Sequence, residues 1–323
     1  MNLRIYIPFI KKSFLFIIGF FVLVFLLQFT INQIIKYINI GEYGVLNKIN
    51  EGKINADIIV SGSSRALKAV NPEIITRETG MSCFNIASDG SDLGIQLPKL
   101  KWYINNNRKP KIIIQDVSQF GGGISSTIYE PFKYLPYISD DSLYAGILRI
   151  DKDFWIHKFF APANLLYYNF DFYAKFAQEL VNTINKKENF KNGFLPDNSK
   201  WTGNFDLYKK ENPNGINCSV NDDYVHYLKG LMQLCRYEDI ILFFVVLPNY
   251  YRLKEITVNL NDVLTYYKSL KDEHNVYFFD YSETDISKNE EYFYNLTHLN
   301  LLGADTFSKN ICKDLNKIIA SKR

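Results

Sequence analysis

Ser64 and His298 are the residues of this chain whose types and settings could do covalent chemistry. Ser64 closes the run Ala56-Asp57-Ile58-Ile59-Val60-Ser61-Gly62-Ser63-Ser64-Arg65, an apolar strand pattern that enters a small-residue turn and then a helical pattern. His298 lies in Asn295-Leu296-Thr297-His298-Leu299-Asn300, just before a last helical pattern from about Leu302 to Ile319. A hydroxyl at a strand-to-helix turn and an imidazole delivered late in the chain are what a serine hydrolase or acyltransferase needs. The ring takes the hydroxyl proton, the alkoxide attacks an ester carbonyl, and backbone N–H groups hold the oxyanion. Taken singly, each has a plainer explanation, because small polar residues also fit tight turns and cap helices.

Such a pair needs a scaffold that brings both residues to one edge. Five short runs rich in Ile, Val and Phe, over 57–60, 83–87, 111–117, 240–247 and 276–280, lack alternation, which is the mark of strands buried on both faces. Helical patterns lie between them over 71–79, 97–105, 223–237 and 261–271, the first opened by Asn71-Pro72 as N-cap and N1 proline. Strand, helix, strand in this order predicts an α/β fold, a three-layer doubly wound parallel five-stranded sheet. Its ligand crevice lies beyond the C-terminal strand ends, where Ser64 and Gly90 both fall.

The N-terminus predicts the address. Ser13 to Ile31 is uncharged and close to the ~20 residues that a helix needs to cross a bilayer. Arg4, Lys11 and Lys12 precede it, so the positive-inside bias puts the N-terminus in the cytoplasm and the body outside. No small-residue cleavage site follows, which favours a retained anchor over a cleaved signal. The expected organisation is a cytoplasmic segment 1–12, a transmembrane helix 13–35, a linker 36–55 and an extracytoplasmic domain 56–323. The protein is then a single-pass cell-membrane protein that meets the lipid bilayer through one helix.

Composition narrows the classes. A net charge of +3 without a basic stripe gives no reason to expect nucleic acid as a partner. Cys83, Cys218, Cys235 and Cys312 have no metal-ligand spacing; no metal or cofactor is expected, and sequence does not pair them into disulfides. Residues 118–222 interrupt the alternation. They begin near Gly121-Gly122-Gly123 and are crowded with aromatics, including Tyr134, Tyr137, Trp155, Phe159, Phe160, Tyr167, Tyr168 and Trp201. They read as a lid-like insertion whose aromatics either stack on sugar rings or form the lid's own core. His157, His226 and His274 lack matching partners and read as surface or packing residues.

Three of these segments, in order, resemble the blocks of the SGNH (GDSL-type) hydrolases: Gly62-Ser63-Ser64, Asn85-Ile86-Ala87-Ser88-Asp89-Gly90, and Asn295 to Asn300. The resemblance covers about residues 55–117 and 226–320. It is nearest to membrane-anchored members found with cell-wall or exopolysaccharide acylation systems, including the D-alanine-transfer proteins of teichoic acid operons. It implies a flavodoxin-like SGNH fold, Ser64 as nucleophile, His298 as base, and the N–H groups of Ser64 and Gly90 as oxyanion donors. Ser63 fills the family's aspartate position. Arg65 and Asp89 become candidate substrate-binding residues; Arg65 either meets an anionic group or pairs with Asp89 or Asp92. The implied activity is esterase or O-acetyltransferase chemistry on acyl groups of an envelope polysaccharide, beside a polytopic membrane O-acyltransferase.

The chain departs from the pattern twice. Where Gly-x-Asn-Asp should follow the third strand it has Gln115-Asp116-Val117-Ser118-Gln119, so the side-chain oxyanion donor is missing. Where the last block should read Asp-x-x-His it has Asn295, a change that costs on the order of 10⁴ in turnover in a serine triad. Three readings follow: another carboxylate, with Asp280 the first candidate, supports His298; the site is a slow dyad; or the chain is a non-catalytic accessory protein that binds glycan or a membrane acyltransferase.

Overall fold

The computed structural model describes residues 3–160, 164–165, 170–187, 190–272 and 275–322; Tyr167, Tyr168 and His274 lie outside them. The five apolar runs form one all-parallel sheet of β1 (Ile58–Ser61), β2 (Cys83–Asn85), β3 (Ile112–Asp116), β4 (Ile241–Val246) and β5 (Val276–Asp280), in the order β2-β1-β3-β4-β5. The helices, in chain order, are α1 (Leu3–Tyr37), α2 (Gly41–Asn50), α3 (Ser64–Ala69), α4 (Pro72–Thr79), α5 (Leu93–Asn106), α6 (Asp141–Ile150), α7 (Trp155–Phe159), α8 (Phe170–Ile184), α9 (Phe205–Glu211), α10 (Asp222–Tyr237), α11 (Leu260–Ser269) and α12 (Leu301–Ser321).

The absence of alternation in the strands has a direct cause. One set of strand residues, Ile59, Ile113, Leu242 and Phe244, packs against α2, α5, α10 and α11 through Leu46, Trp102, Leu231 and Tyr267. The intervening set, Ile58, Val60, Ile112, Ile114 and Phe243, packs against α3, α4 and α12 through Leu67, Ile75 and Phe307. Both faces are therefore dry, and each such side chain stabilises the fold by roughly 1.5–3 kcal/mol on burial. The strand order reverses beside β1, which puts the crevice at the C-terminal end of β1 and β3.

Residues 36–55, expected as a linker, belong to the body. Tyr43, Leu46 and Ile49 of α2 recur three apart and are buried in the same core. Asn47 donates to the carbonyls of Ile35 and Ile38 at 2.9 and 2.6 Å and so closes the end of α1 onto α2. The α1 helix is long and apolar enough to cross a membrane, with a mean hydropathy of 2.7 in its most apolar window.

The 118–222 segment is more ordered than a loop. Asp140 and Asn204 cap α6 and α9 by accepting from Leu143 and Leu207 N–H. Its aromatics divide: Tyr134 and Tyr137 are core residues, whereas Trp155, Phe159 and Phe160 are exposed. Trp201 is half-buried against Tyr250, ring centroids 4.7 Å apart.

Candidate active site

Ser64 is the first residue of α3, and the turn before it is built to that end. Gly62 has φ +155°, and a Cβ there would meet the Cβ atoms of Ala66 and Asp116 at 2.7 Å, so only glycine lets β1 turn so sharply beside β3. Ser63 caps the helix by accepting from Arg65 N–H, and its own hydroxyl donates to Asp116 Oδ2 at 3.1 Å. Buried Asn85 then donates to the Ala66 and Val70 carbonyls at 2.9 and 3.1 Å, closing the far end of α3. The 88–91 loop is fastened to the same turn, since Ser88 N–H and Ser91 Oγ both donate to the Gly62 carbonyl. That loop carries Gly90, at φ +60°, under the Tyr129 ring.

His298 arrives on a short hairpin ahead of α12. Phe293 and Leu299 pair, and Asn300 caps α12 at Gly303 N–H while donating to the Glu291 carbonyl at 2.7 Å. Asn71 anchors the other side of α12: its N–H donates to Ser308 Oγ and its amide to Asp305. The result is a 2.9 Å contact between Ser64 Oγ and His298 Nε2, across 234 residues of sequence.

The other ring nitrogen faces Asn295, whose Oδ1 lies 3.1 Å from Nδ1. The same atom accepts the backbone N–H groups of Thr297 at 3.0 Å and His298 at 2.9 Å. Those two donors require it to be the oxygen of the amide, which favours a proton on Nδ1; the Thr297 hydroxyl, 3.0 Å from the same nitrogen, can accept that proton's hydrogen bond too, and Nε2 then presents its lone pair to the serine hydroxyl.

The electrostatic setting is cationic. Burial, and then Arg65 and Lys68, push the His298 pKa down from its usual 6.5 to about 4, against a smaller opposing effect of Asp197. Lys68 stands one turn after Ser64; it donates to Asp197 Oδ2 at 3.2 Å and to the Tyr294 hydroxyl at 3.0 Å, and the Tyr294 ring stacks on His298 at 5.3 Å. Arg65 donates through Nη2 to the Leu247 carbonyl, while its Nε and Nη1 are buried without a hydrogen-bond partner. Asp116 Oδ1 is in the same condition; burial pushes that carboxyl up, opposed by Arg65 and the Ser63 hydroxyl. A cavity of about 130 Å³ opens beside Ser63 and Asp116, lined also by Ser91, Gln96 and Tyr224. A second, of about 410 Å³, lies between Asp197, Trp201 and Asn300. A larger one, about 550 Å³, is elsewhere, between α5 and α10 around Lys101 and His226.

Several expectations need correction. Asp280 does not support His298: at the end of an edge strand its carboxylate accepts Ser282 N–H and hydroxyl, at 3.0 and 2.6 Å. Arg65 makes no ion pair with Asp89 or Asp92. Asp92 accepts from Gly94 and Ser125 N–H, and the exposed Asp89 gives its N–H to Glu42. The third-block amide stays missing, as expected: the nearby Gln115 Nε2 donates to Gln96 and the Asp116 carbonyl. His157, expected as a surface or packing residue, is half-buried and bonds Asn164. Lys68, Tyr294, Asp197 and Asp116 were not singled out in the sequence; only Lys68, four residues after Ser64 on one helix face, left a readable signal.

No family model matches this sequence, and no curated protein matches it. Among solved structures, the fold is similar to that of a G-D-S-L family protein from Desulfitobacterium hafniense DCB-2, at 7% identity and a TM-score of 0.39 over 80% of this chain and 98% of that one. A likeness of this size assigns no function, and what the site can do rests on Ser64, His298 and Asn295 themselves.

Proposed function

We infer that this protein is a membrane-anchored serine esterase or O-acyltransferase that acts on acyl groups of an envelope or exported polysaccharide. The observation that carries this reading is the 2.9 Å contact of Ser64 Oγ with a His298 whose Nδ1 faces the Asn295 side-chain oxygen. His298 Nε2 takes the hydroxyl proton as Ser64 attacks the ester carbonyl; the N–H groups of Ser64 and Gly90 receive the oxyanion; His298 then returns the proton to the departing alkoxide. Water as second acceptor gives an esterase, and a sugar hydroxyl gives an acyltransferase. The Trp201-lined cavity beside Asn300 suits a sugar face. Helix α1, with Lys11 and Lys12 ahead of its apolar run, supports an anchor with the body outside; a polytopic acyltransferase as neighbour is what the resemblance of the sequence blocks implies.

The second reading is a non-catalytic glycan- or partner-binding protein, favoured by the absence of a carboxylate on His298 and by the cations beside it. A fluorophosphonate serine probe applied to the detergent-solubilised full chain separates the two. Covalent labelling lost in both Ser64→Ala and His298→Ala supports the enzyme; an unlabelled, folded wild type supports the binding protein.

A further inference from the structure

Among the described residues, the 118–222 insertion exposes several large apolar side chains. Trp155 is 50% exposed, Phe159 74%, Phe160 47% and Phe170 84%, while their neighbours Phe154 and Phe172 are fully buried. The inner pair lies in the core that the insertion shares with the sheet, with Phe172 against Phe132 at 5.1 Å, so the outer side chains are firmly mounted. The only cation within 155–160 is drawn off them: Lys158 lies over the Tyr144 ring at 4.0 Å and pairs with Asp141. Large exposed aromatics recurring within one short stretch, 155–160, mark an interaction surface.

The position of the edge says what covers it. Phe160 meets Phe21 of α1 edge to face, ring centroids 6.2 Å apart. Phe21 lies inside the uncharged run of α1, ten residues before its end at Ile31, or about 15 Å along the helix at the usual rise. Val24 and Gln28, one and two turns on, are half-buried and buried, so the body leans along that stripe of α1 down to this level. If α1 crosses the membrane, this edge is level with acyl chains.

We propose that Trp155, Phe159, Phe160 and Phe170 are embedded in the bilayer beside α1, as a second, in-plane membrane attachment whose ligand is lipid acyl chain. The body is then held at two points and its orientation on the membrane is fixed. The same insertion carries Tyr129, whose ring covers Gly90, so the attachment is mechanically continuous with the loop proposed to hold the oxyanion. The inference rests on α1 as a membrane span but not on the chemistry at Ser64.

The test uses the full-length protein in phosphatidylcholine–phosphatidylglycerol vesicles, with the Trp155 emission taken as the difference between wild type and Trp155→Phe. Lipids brominated in mid-chain should quench that emission by roughly twofold and aqueous iodide should leave it unchanged. Quenching by iodide and not by bromine would overturn the proposal, and so would quenching by neither, which would mean that protein covers the edge. Phe21→Trp in the Trp155→Phe chain reports on α1: bromine quenching there without quenching of Trp155 sinks the embedded edge alone, whereas none at either position sinks the span as well.

Discussion

Asn295 presents its side-chain oxygen, not its nitrogen, to His298 Nδ1, because the N–H groups of Thr297 and His298 already hold that oxygen. When asparagine replaces aspartate in a serine triad and turns its amide nitrogen to the ring, the wrong tautomer results and turnover falls on the order of 10⁴. Here the facing oxygen favours the productive tautomer. What asparagine lacks is the negative charge that would stabilise the imidazolium.

Supplying that charge should therefore raise activity. Asn295→Asp keeps the acceptor for all three N–H donors and should speed hydrolysis of an activated acetyl ester by roughly tenfold or more, while Asn295→Ala, which leaves Nδ1 only the Thr297 hydroxyl, should slow it by a similar factor. Steady-state kinetics on the solubilised chain checks both directions.

The depressed His298 pKa sets the pH dependence. Because the neutral ring is the base, the rate of serine-probe labelling should persist on acidification and fall only near pH 4, where the ring protonates, and not near 6.5. Lys68→Ala and Asn295→Asp should each move that limb upward. The same shift bears on stability with a definite sign. The folded pKa lies below the unfolded one, so the contribution is complete above about 6.5 and is lost as pH falls through about 4. Denaturant melts across that window should show it, and His298→Ala should flatten it.

Glu42 ties the segment next to α1 to the 88–91 loop. Burial alone would push its carboxyl up, but Lys133, Lys175 and the Asp89 N–H outweigh this and hold it at about 2. Its Oε2 lies 3.3 Å from Lys133 Nζ and its Oε1 accepts from Asp89 at 2.9 Å. Glu42→Ala strands a buried lysine and should cost about 3–5 kcal/mol, read as a lowered unfolding midpoint. Glu42→Gln, which keeps an acceptor for Asp89, should cost less and retain more labelling of Ser64.

Orientation is checked in cells. A reporter active only outside the cytoplasm, fused after Arg323, should be active, and one active only in the cytoplasm should be silent. The reverse pattern would turn the site toward cytosolic substrates.

Much of this was legible in the sequence because burial on both faces writes itself as continuous apolar runs, Ser64 follows one of them, and His298 precedes the last helical pattern. The packing of α2 was less legible, since a ten-residue helix beside a long apolar one reads as connection until Tyr43, Leu46 and Ile49 are seen in the core. Lys68, Tyr294 and Asp197 meet across 129 and 226 residues of chain, and no local pattern encodes a contact of that kind. The direction of the Asn295 amide was likewise out of reach, because it is fixed by backbone N–H groups that any residues would supply.

The central claim is that Ser64, with its proton taken by His298, accepts an acyl group. Brief exposure of the full-length protein to an activated acetyl ester at neutral pH, acid quenching and peptide mass analysis measures this directly. A single acetyl group on the Ser64 peptide, absent in Ser64→Ala and strongly diminished in His298→Ala, is the predicted result; no acetyl group, or one that persists on another residue in both variants, contradicts it.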